Sequence, residues 1–307
     1  MTAVAAAAGG LVDQLVGEPP LRWHPVARFG SSMQRIEPGL YDDRRLNGIG
    51  FIAVGAGIGI CVGFALRRCL GPTIATVIAT GVSSAGKMLD DEANTMAALL
   101  GAGDLAQAKV RVRSLVGRTT DDLDENEISR AVIESVAENC VDAVTASLFW
   151  AAVGGAPAVL AHRAINTLDA MVGHHDDRYE HFGWASARLD DLVNYLPARL
   201  TTVAVALVRP TQARVIWTAV RRDAPHHPSP NGGVVEAAFA AALGVRLGGV
   251  NRYDGNVEDR GTLGDGPAPT VTTIAAAVRL RRHTTSMTAA LLLAASATAQ
   301  SLRRRRR

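Results

Sequence analysis

Apolar and polar positions fall in long blocks along this chain. Leu46 to Leu66 carries no charge and is bounded by Arg45 and Arg67. Its length suits one helix across a hydrocarbon core, which takes about 20 apolar residues. Gly55, Gly59 and Gly63 stand at i, i+4 and i+8 within it, so they share a face that lets a second helix come close. The next run, Leu70 to Gly86, is rich in Ala, Thr, Val and Ile. The two runs read as a transmembrane hairpin, with the second as partner of the glycine face. A third run, Ala143 to Ala161, is interrupted by Gly154-Gly155-Ala156-Pro157, and a last one, His283 to Leu302, ends against arginines. Spans are expected near 46–66 and 70–86, an apolar hairpin at 143–161, and a last span at 283–302.

The segments between are polar and helical in pattern. Asp104 is placed to cap a helix through Ala106 and Val110. DDLDENEISRAVIESVAEN puts carboxylates in a first turn and then Ile128, Val132, Ile133 and Val136 on one face, an amphipathic helix. Residues 223–270 are rich in Pro and Gly and read as loops around a helix near Val234–Leu243. Strand signals are almost absent. The fold class is all-α: a multi-pass protein of the cell membrane with amphipathic and re-entrant or buried helices, in one domain over 1–307. The competing soluble bundle would leave membranes on salt washing alone.

Composition sharpens this picture. Of 307 residues, 48% are hydrophobic and 20% charged, and the mean hydropathy is +0.12. That fits alternating apolar and polar stretches better than a bare stack of spans. The net charge is only +3 and the tail Arg303 to Arg307 alone carries five positives, so the rest of the chain is close to neutral, no broad basic face exists and nucleic acid is not an expected partner. The tail reads as a solvated or lipid-facing end. Cys61, Cys69 and Cys140 show no CxxC spacing, which argues against a disulfide framework or zinc. MTAVAAAAGGLVD has no basic n-region, so a cleaved signal peptide is not expected.

One stretch, ESVAENCVDAVTASLFW, places three carboxylates and the amide of Asn139 at the mouth of the third apolar run. On a helix Glu134, Glu138 and Asp142 form an i, i+4, i+8 stripe. Neighbouring carboxylates repel, and no Lys or Arg lies between Arg130 and Arg163. The stripe therefore needs cations from elsewhere, either Mg²⁺ or arginines of another segment. AHRAINTLDAMVG supplies Arg163, Asn166 and Asp169. GWASARLDDLVNYLPARL supplies Arg188, Asp190, Asp191 and Asn194. Arginines of this kind fork onto carboxylate or phosphate, although each also suits a structural ion pair. APHHPSPNGGVVEAA holds His227, Ser229, Asn231 and Glu236, where Asn231 or Gly232 as N-cap would leave backbone N–H groups for an anion. LGDG is a turn with Asp265. DQLVGEPPLRWHPV adds Asp13, Glu18 and His24. GVSSAGKM nearly matches a P-loop but ends in Met88, so the magnesium-binding hydroxyl is missing. HHDD at 174–177 reads as a solvated loop.

Taken together, ESVAEN with Asp142 and LFW, RAINTLDAMVG, FGWASARLDDLVNYLPARL, HPSPNGGVVEAAFAAALGVRLGG and the N-terminal D…GEPP…HPV closely resemble the cobalamin-biosynthesis membrane family called CbiB or CobD, adenosylcobinamide-phosphate synthase. The likeness spans nearly the whole chain in motif order. Cys140, Val141, Ala143, Ser147, the pair Val234-Val235, and Glu18 in place of an Asp depart from the family pattern, mostly as packing or turn changes. The resemblance implies ATP- and Mg²⁺-dependent joining of adenosylcobyric acid to aminopropanol or its O-phosphate. It points to Glu134, Glu138 and Asp142 as magnesium ligands or base, with Asp190 and Asp191 also catalytic. Substrate would be held by Asp13, His24, Asn139, Arg163, Asn166, Asp169, Arg188, Asn194, His227, Ser229, Asn231, Glu236 and Asp265. Implied partners are the corrinoid, membrane lipid, a second copy of the chain or other corrinoid enzymes. A non-catalytic corrinoid carrier or scaffold is the alternative.

Overall fold

The computed structural model describes residues 2–116, 119–173, 178–253 and 256–305; the HHDD loop lies outside them. The chain divides into two compact units. The first comprises Met1–Lys87, Asp142–Pro197 and Ala289–Arg307, and the second Met88–Val141 and Ala198–Thr288.

The helices are α1 (Thr2–Val16), α2 (Pro25–Leu40), α3 (Arg45–Leu70), α4 (Pro72–Ser83), α5 (Gly86–Gly101), α6 (Leu105–Val112), α7 (Glu125–Cys140), α8 (Ala146–Val172), α9 (Trp184–Val208), α10 (Ala213–Asp223), α11 (Gly232–Leu243) and α12 (Val271–Arg305). Their starts follow from local chemistry. His24 caps α2, its Nδ1 accepting from the Val26 N–H. Asp104 caps α6 through the Gln107 N–H. Asp124 and Glu127 close a capping box on α7.

In the first unit α3 packs against α8. A Cβ on Gly59 would stand 2.6 Å from the Leu160 carbonyl, and one on Gly63 would overlap Pro157. The glycine face therefore serves α8 and not the next run, which corrects the predicted pairing. The rest of α3 stays open: Val54, Ile58 and Phe64 are 40, 37 and 54% exposed. Helix α4 has only 12 residues, about 18 Å, too short for a full crossing.

Helix α8 breaks at Gly155, whose φ of 68° and ψ of −153° leave helical geometry, and Pro157 follows. Along the first arm, Ser147 Oγ donates to the Ser83 carbonyl at 3.2 Å and Thr2 Oγ1 to Ala152 O at 2.8 Å. On the same first arm Trp150 Nε1 donates to Val193 O, while His162 on the second arm bonds Asn194. Both arms thus meet adjacent residues of α9, so the apolar run folds back at Gly155. Met33, Phe51, Leu168, Val172 and Phe182 form the core beside the second arm.

The second unit buries Met96, Ile128, Ile133, Phe239, Leu247 and Ile274. Asp90 takes a bidentate bond from Arg281 at 2.7 and 2.6 Å, all fully enclosed. Part of the segment read as loop is an antiparallel pair, β1 (Leu247–Tyr253) and β2 (Asn256–Leu263), with Leu247 opposite Leu263. Its register shifts between Gly248 and Val250. Glycines and charges at strand positions erase the two-residue alternation that announces a strand.

Three helical stretches, Arg45–Leu70, Glu125–Val172 and Trp184–Val208, are long and apolar enough to cross a membrane. The second is not one rod, because of the break at Gly155. Among the described residues α12 is not of this class, because Thr, Ser and Gln dilute the run at 283–302.

Candidate functional site

The structure divides the predicted site residues between the two units. In the first, a polar chain runs across the fold-back. Asn194 Nδ2 donates to Asp190 Oδ2 at 3.0 Å, so its Oδ1 is the acceptor for His162 Nε2 at 2.8 Å. Asn166 Nδ2 donates to the other Asp190 oxygen at 3.3 Å, and Arg163 donates to Asn166 Oδ1 at 3.1 Å. Asp190 and Asn194 are buried one turn apart on α9, and His162 is 1% exposed on α8. Each link has one direction only, so the amides, the histidine tautomer and the Asp190 carboxylate are fixed together.

Arg163 lies within electrostatic reach of Glu18, Asp142 and Asp190. Asp142 sits in a π-helical turn, Val141–Thr145, between α7 and α8. Such turns displace side chains from the α register. Asp142 and Arg163, about 20 residues apart, would be separated by roughly 30 Å on a straight helix; the fold-back brings them together. Nearby, His24 Nε2 faces Glu18 at 3.4 Å. Burial raises the Glu18 carboxyl above its ordinary range, against the lowering by Arg163. Burial, with Arg163, lowers the His24 imidazole. With Nδ1 accepting from the α2 backbone, the neutral ring carries its proton on Nε2, toward Glu18.

Asp13, Asp169, Arg188 and Asp191 belong to the same unit. Asp13 is buried and accepts the Gly86 N–H at 2.9 Å, a carboxylate at the start of α5. That also disposes of the P-loop likeness: Gly86 opens a helix after a helix, with no strand before it. The Asp169 carbonyl takes the Gly173 N–H at the end of α8. Arg188 is exposed and pairs electrostatically with half-buried Asp191.

In the second unit Glu134 Oε1 accepts the Gly248 N–H at 2.8 Å and faces Arg130 at 3.4 Å. Arg130 also donates to the Gly248 carbonyl and to Asn251 Oδ1. Glu134 thereby ties α7 to β1. Glu138 is within electrostatic reach of Arg260 as well as Glu134. Asn139 turns back to its own helix, donating to the Ser135 carbonyl at 3.0 Å. His227 is enclosed, with Nδ1 accepting the Ser229 N–H at 3.1 Å and Nε2 facing Glu236 at 3.5 Å. Burial, helped by Arg260, lowers the His227 imidazole to about 4.

The expected anion seat at α11 is closed. Ser229 Oγ accepts the N–H groups of Asn231 and Gly232, and Asn231 Oδ1 accepts from Arg199 at 2.6 Å. Asp265 is exposed and pairs with Arg222 at 2.8 Å.

Among the described residues no three His, Cys, Asp or Glu side chains gather as a metal site. The predicted trio Glu134, Glu138 and Asp142 assumes one unbroken α-helix, and that register ends at Cys140. Magnesium does not need a trio, since it commonly takes one or two carboxylates and completes its shell with substrate phosphate and water. Single hard-oxygen donors such as Asp142 fit that use.

Sequence reasoning did not single out His162, Arg130 and Arg260. Arg130 stands four residues before Glu134, a same-face signal that was open to view. His162 is hidden in an apolar run, and Arg260 in a segment with no strand pattern.

The CobD/Cbib protein family model matches residues 6–281. Over 286 residues the chain is 45% identical to the cobalamin biosynthesis protein CobD of Mycobacterium tuberculosis, covering 91% of each. The protein of that name from Chromobacterium violaceum is 44% identical over 88% of this chain and 89% of its own. The one from Geobacter metallireducens is 40% identical over 86% of each. No solved structure matches the chain. With its helical fold and membrane-length apolar helices, the chain belongs to the CobD/CbiB family of cobalamin biosynthesis proteins.

Proposed function

We propose that the chain joins adenosylcobyric acid to aminopropanol or its O-phosphate, with ATP, forming the amide of adenosylcobinamide or its phosphate. The observation that supports this most is the group around Arg163, where one guanidinium stands among Asp142, Asp190 and Glu18 with His24 beside it. A phosphate-holding cation and several carboxylates in one place are what such a ligation needs.

A carboxylate is a poor acyl donor because its leaving group would be oxide. In the proposed reaction a corrin carboxylate oxygen attacks the γ-phosphorus of ATP, the bond to ADP breaks, and an acyl phosphate forms. The amine nitrogen then attacks the acyl carbon, the carbon–oxygen bond to phosphate breaks, and phosphate leaves. The ammonium proton must pass to a base. Arg163 holds the transferred phosphate. Asp190, locked by Asn166 and Asn194, fixes the cationic end of that network. Glu18, whose carboxyl burial raises above its ordinary range, takes the proton, with His24 Nε2–H steadying it. Magnesium, when bound through Asp142 and nucleotide phosphate, would supply neutralisation of phosphate charge.

The test uses membranes containing the protein with adenosylcobyric acid, aminopropanol phosphate, ATP and Mg²⁺, read by mass spectrometry. The amide product is expected only when ATP and Mg²⁺ are both present. Glu18→Gln is expected to abolish product with folding intact; full activity there would remove Glu18 from the site. Corrinoid binding with no ATP-dependent product would instead identify a carrier.

A further inference from the structure

A groove of about 330 Å³ runs along the first unit between α3, the two arms of α8 and α9. Ile60 and Phe64 form one wall, Trp150, Ala158 and His162 the other, and Arg67 stands at one end. Arg67 closes a helix of membrane length, next to Arg68 and the turn at Gly71. Phe64 and Ile60 are 54 and 40% exposed, on the side of α3 that the glycine face leaves open. The lining is apolar except for Arg67 at the rim and the edge of His162.

We propose that this groove holds one acyl chain of an anionic phospholipid from the surrounding membrane, with the headgroup phosphate on Arg67. Two features choose this occupant. An apolar channel beside an exposed span is filled by hydrocarbon, and a cation where such a span ends lies at headgroup depth, where it attracts anionic lipid. The groove exists because Gly155 and Pro157 part the two arms of α8, so the same fold-back that assembles the Arg163 group leaves the channel. His162 lies on its wall and bonds Asn194 behind it. A chain in the groove keeps water from that bond, which is stronger in a dry surround. The site is independent of the ligation reading.

The test is native mass spectrometry of the full chain in a neutral detergent, titrated with phosphatidylglycerol or phosphatidylcholine. One phosphatidylglycerol per chain is expected to bind saturably and to outcompete phosphatidylcholine. Arg67→Gln, at an exposed position, is expected to weaken phosphatidylglycerol roughly fivefold and leave phosphatidylcholine unchanged. Ala158→Phe, which fills the groove, is expected to abolish the bound lipid. Equal binding of the two lipids, or unchanged binding in Arg67→Gln, would overturn the proposal, whether or not Ala158→Phe folds.

Discussion

Trp150 and His162 bond adjacent residues of α9, Val193 and Asn194, at 3.1 and 2.8 Å. On an unbroken helix these two side chains would be separated by about 18 Å along the axis. Gly155 makes the meeting possible, because its φ of 68° suits glycine and strains other residues. A Cβ there would also come within 3.0 Å of Thr76 Oγ1. Gly155→Ala is therefore expected to destabilise the first unit by about 1–3 kcal/mol and to lower activity more than Gly57→Ala, since a Cβ on Gly57 meets nothing within 4 Å. Melting in detergent, paired with the ligation assay, checks the ranking of the two.

Close packing of α3 gives a second prediction. Gly63 meets Pro157 with no room for a methyl group. Gly63→Val would push α3 away from α8 and is expected to cost about 1–3 kcal/mol or more. Gly57, which meets nothing within 4 Å, is the control: Gly57→Val is expected to retain the wild-type elution profile and protease resistance. Equal sensitivity of the two variants would show that α3 is not held by its glycine face.

The two amides around Asp190 make a third. Both neighbours, Asn166 and Asn194, donate to its oxygens. Asp190→Asn places an NH₂ group opposite a donor, at a cost of about 1–3 kcal/mol. Adding Asn194→Asp restores an acceptor and is expected to recover part of the melting temperature. A double variant no more stable than the single one would disprove the assigned bond directions.

Much of this architecture was legible in the chain because helices advertise themselves locally. The Asp104 and Asp124 caps, the amphipathic face through Ile128 and Val132, and the Gly154–Pro157 interruption are all short-range signals. The partner of the glycine face was not legible, since spacing states that a helix can approach and not which one does. The β1–β2 pair was hidden because Gly248, Gly249 and Gly261 replace the alternation of a strand with turn-like backbone. The α-helical register of the carboxylate stripe ends before Asp142, where a π turn changes it without a sequence mark. Arg163, Asp190 and Asn194 were named from their motifs; His162, which completes their network, was not, because its neighbours in sequence are apolar.

His227 supplies a pH-dependent prediction. Its ring is enclosed, and burial followed by Arg260 lowers its pKa to about 4 in the folded protein. The unfolded chain binds the same proton near pH 6.5. Between these values the unfolded state holds more protons, so stability rises with pH. The contribution of the neutral ring is complete above about pH 6.5 and is lost as pH falls toward 4. His24 shifts in the same direction, so the wild-type slope alone does not isolate one residue. His227→Gln does: its melting temperature is expected to be lower at pH 7.5 and to fall less steeply between pH 6.5 and 4.5. Parallel curves for wild type and variant would mean that the folded protein does not hold His227 neutral.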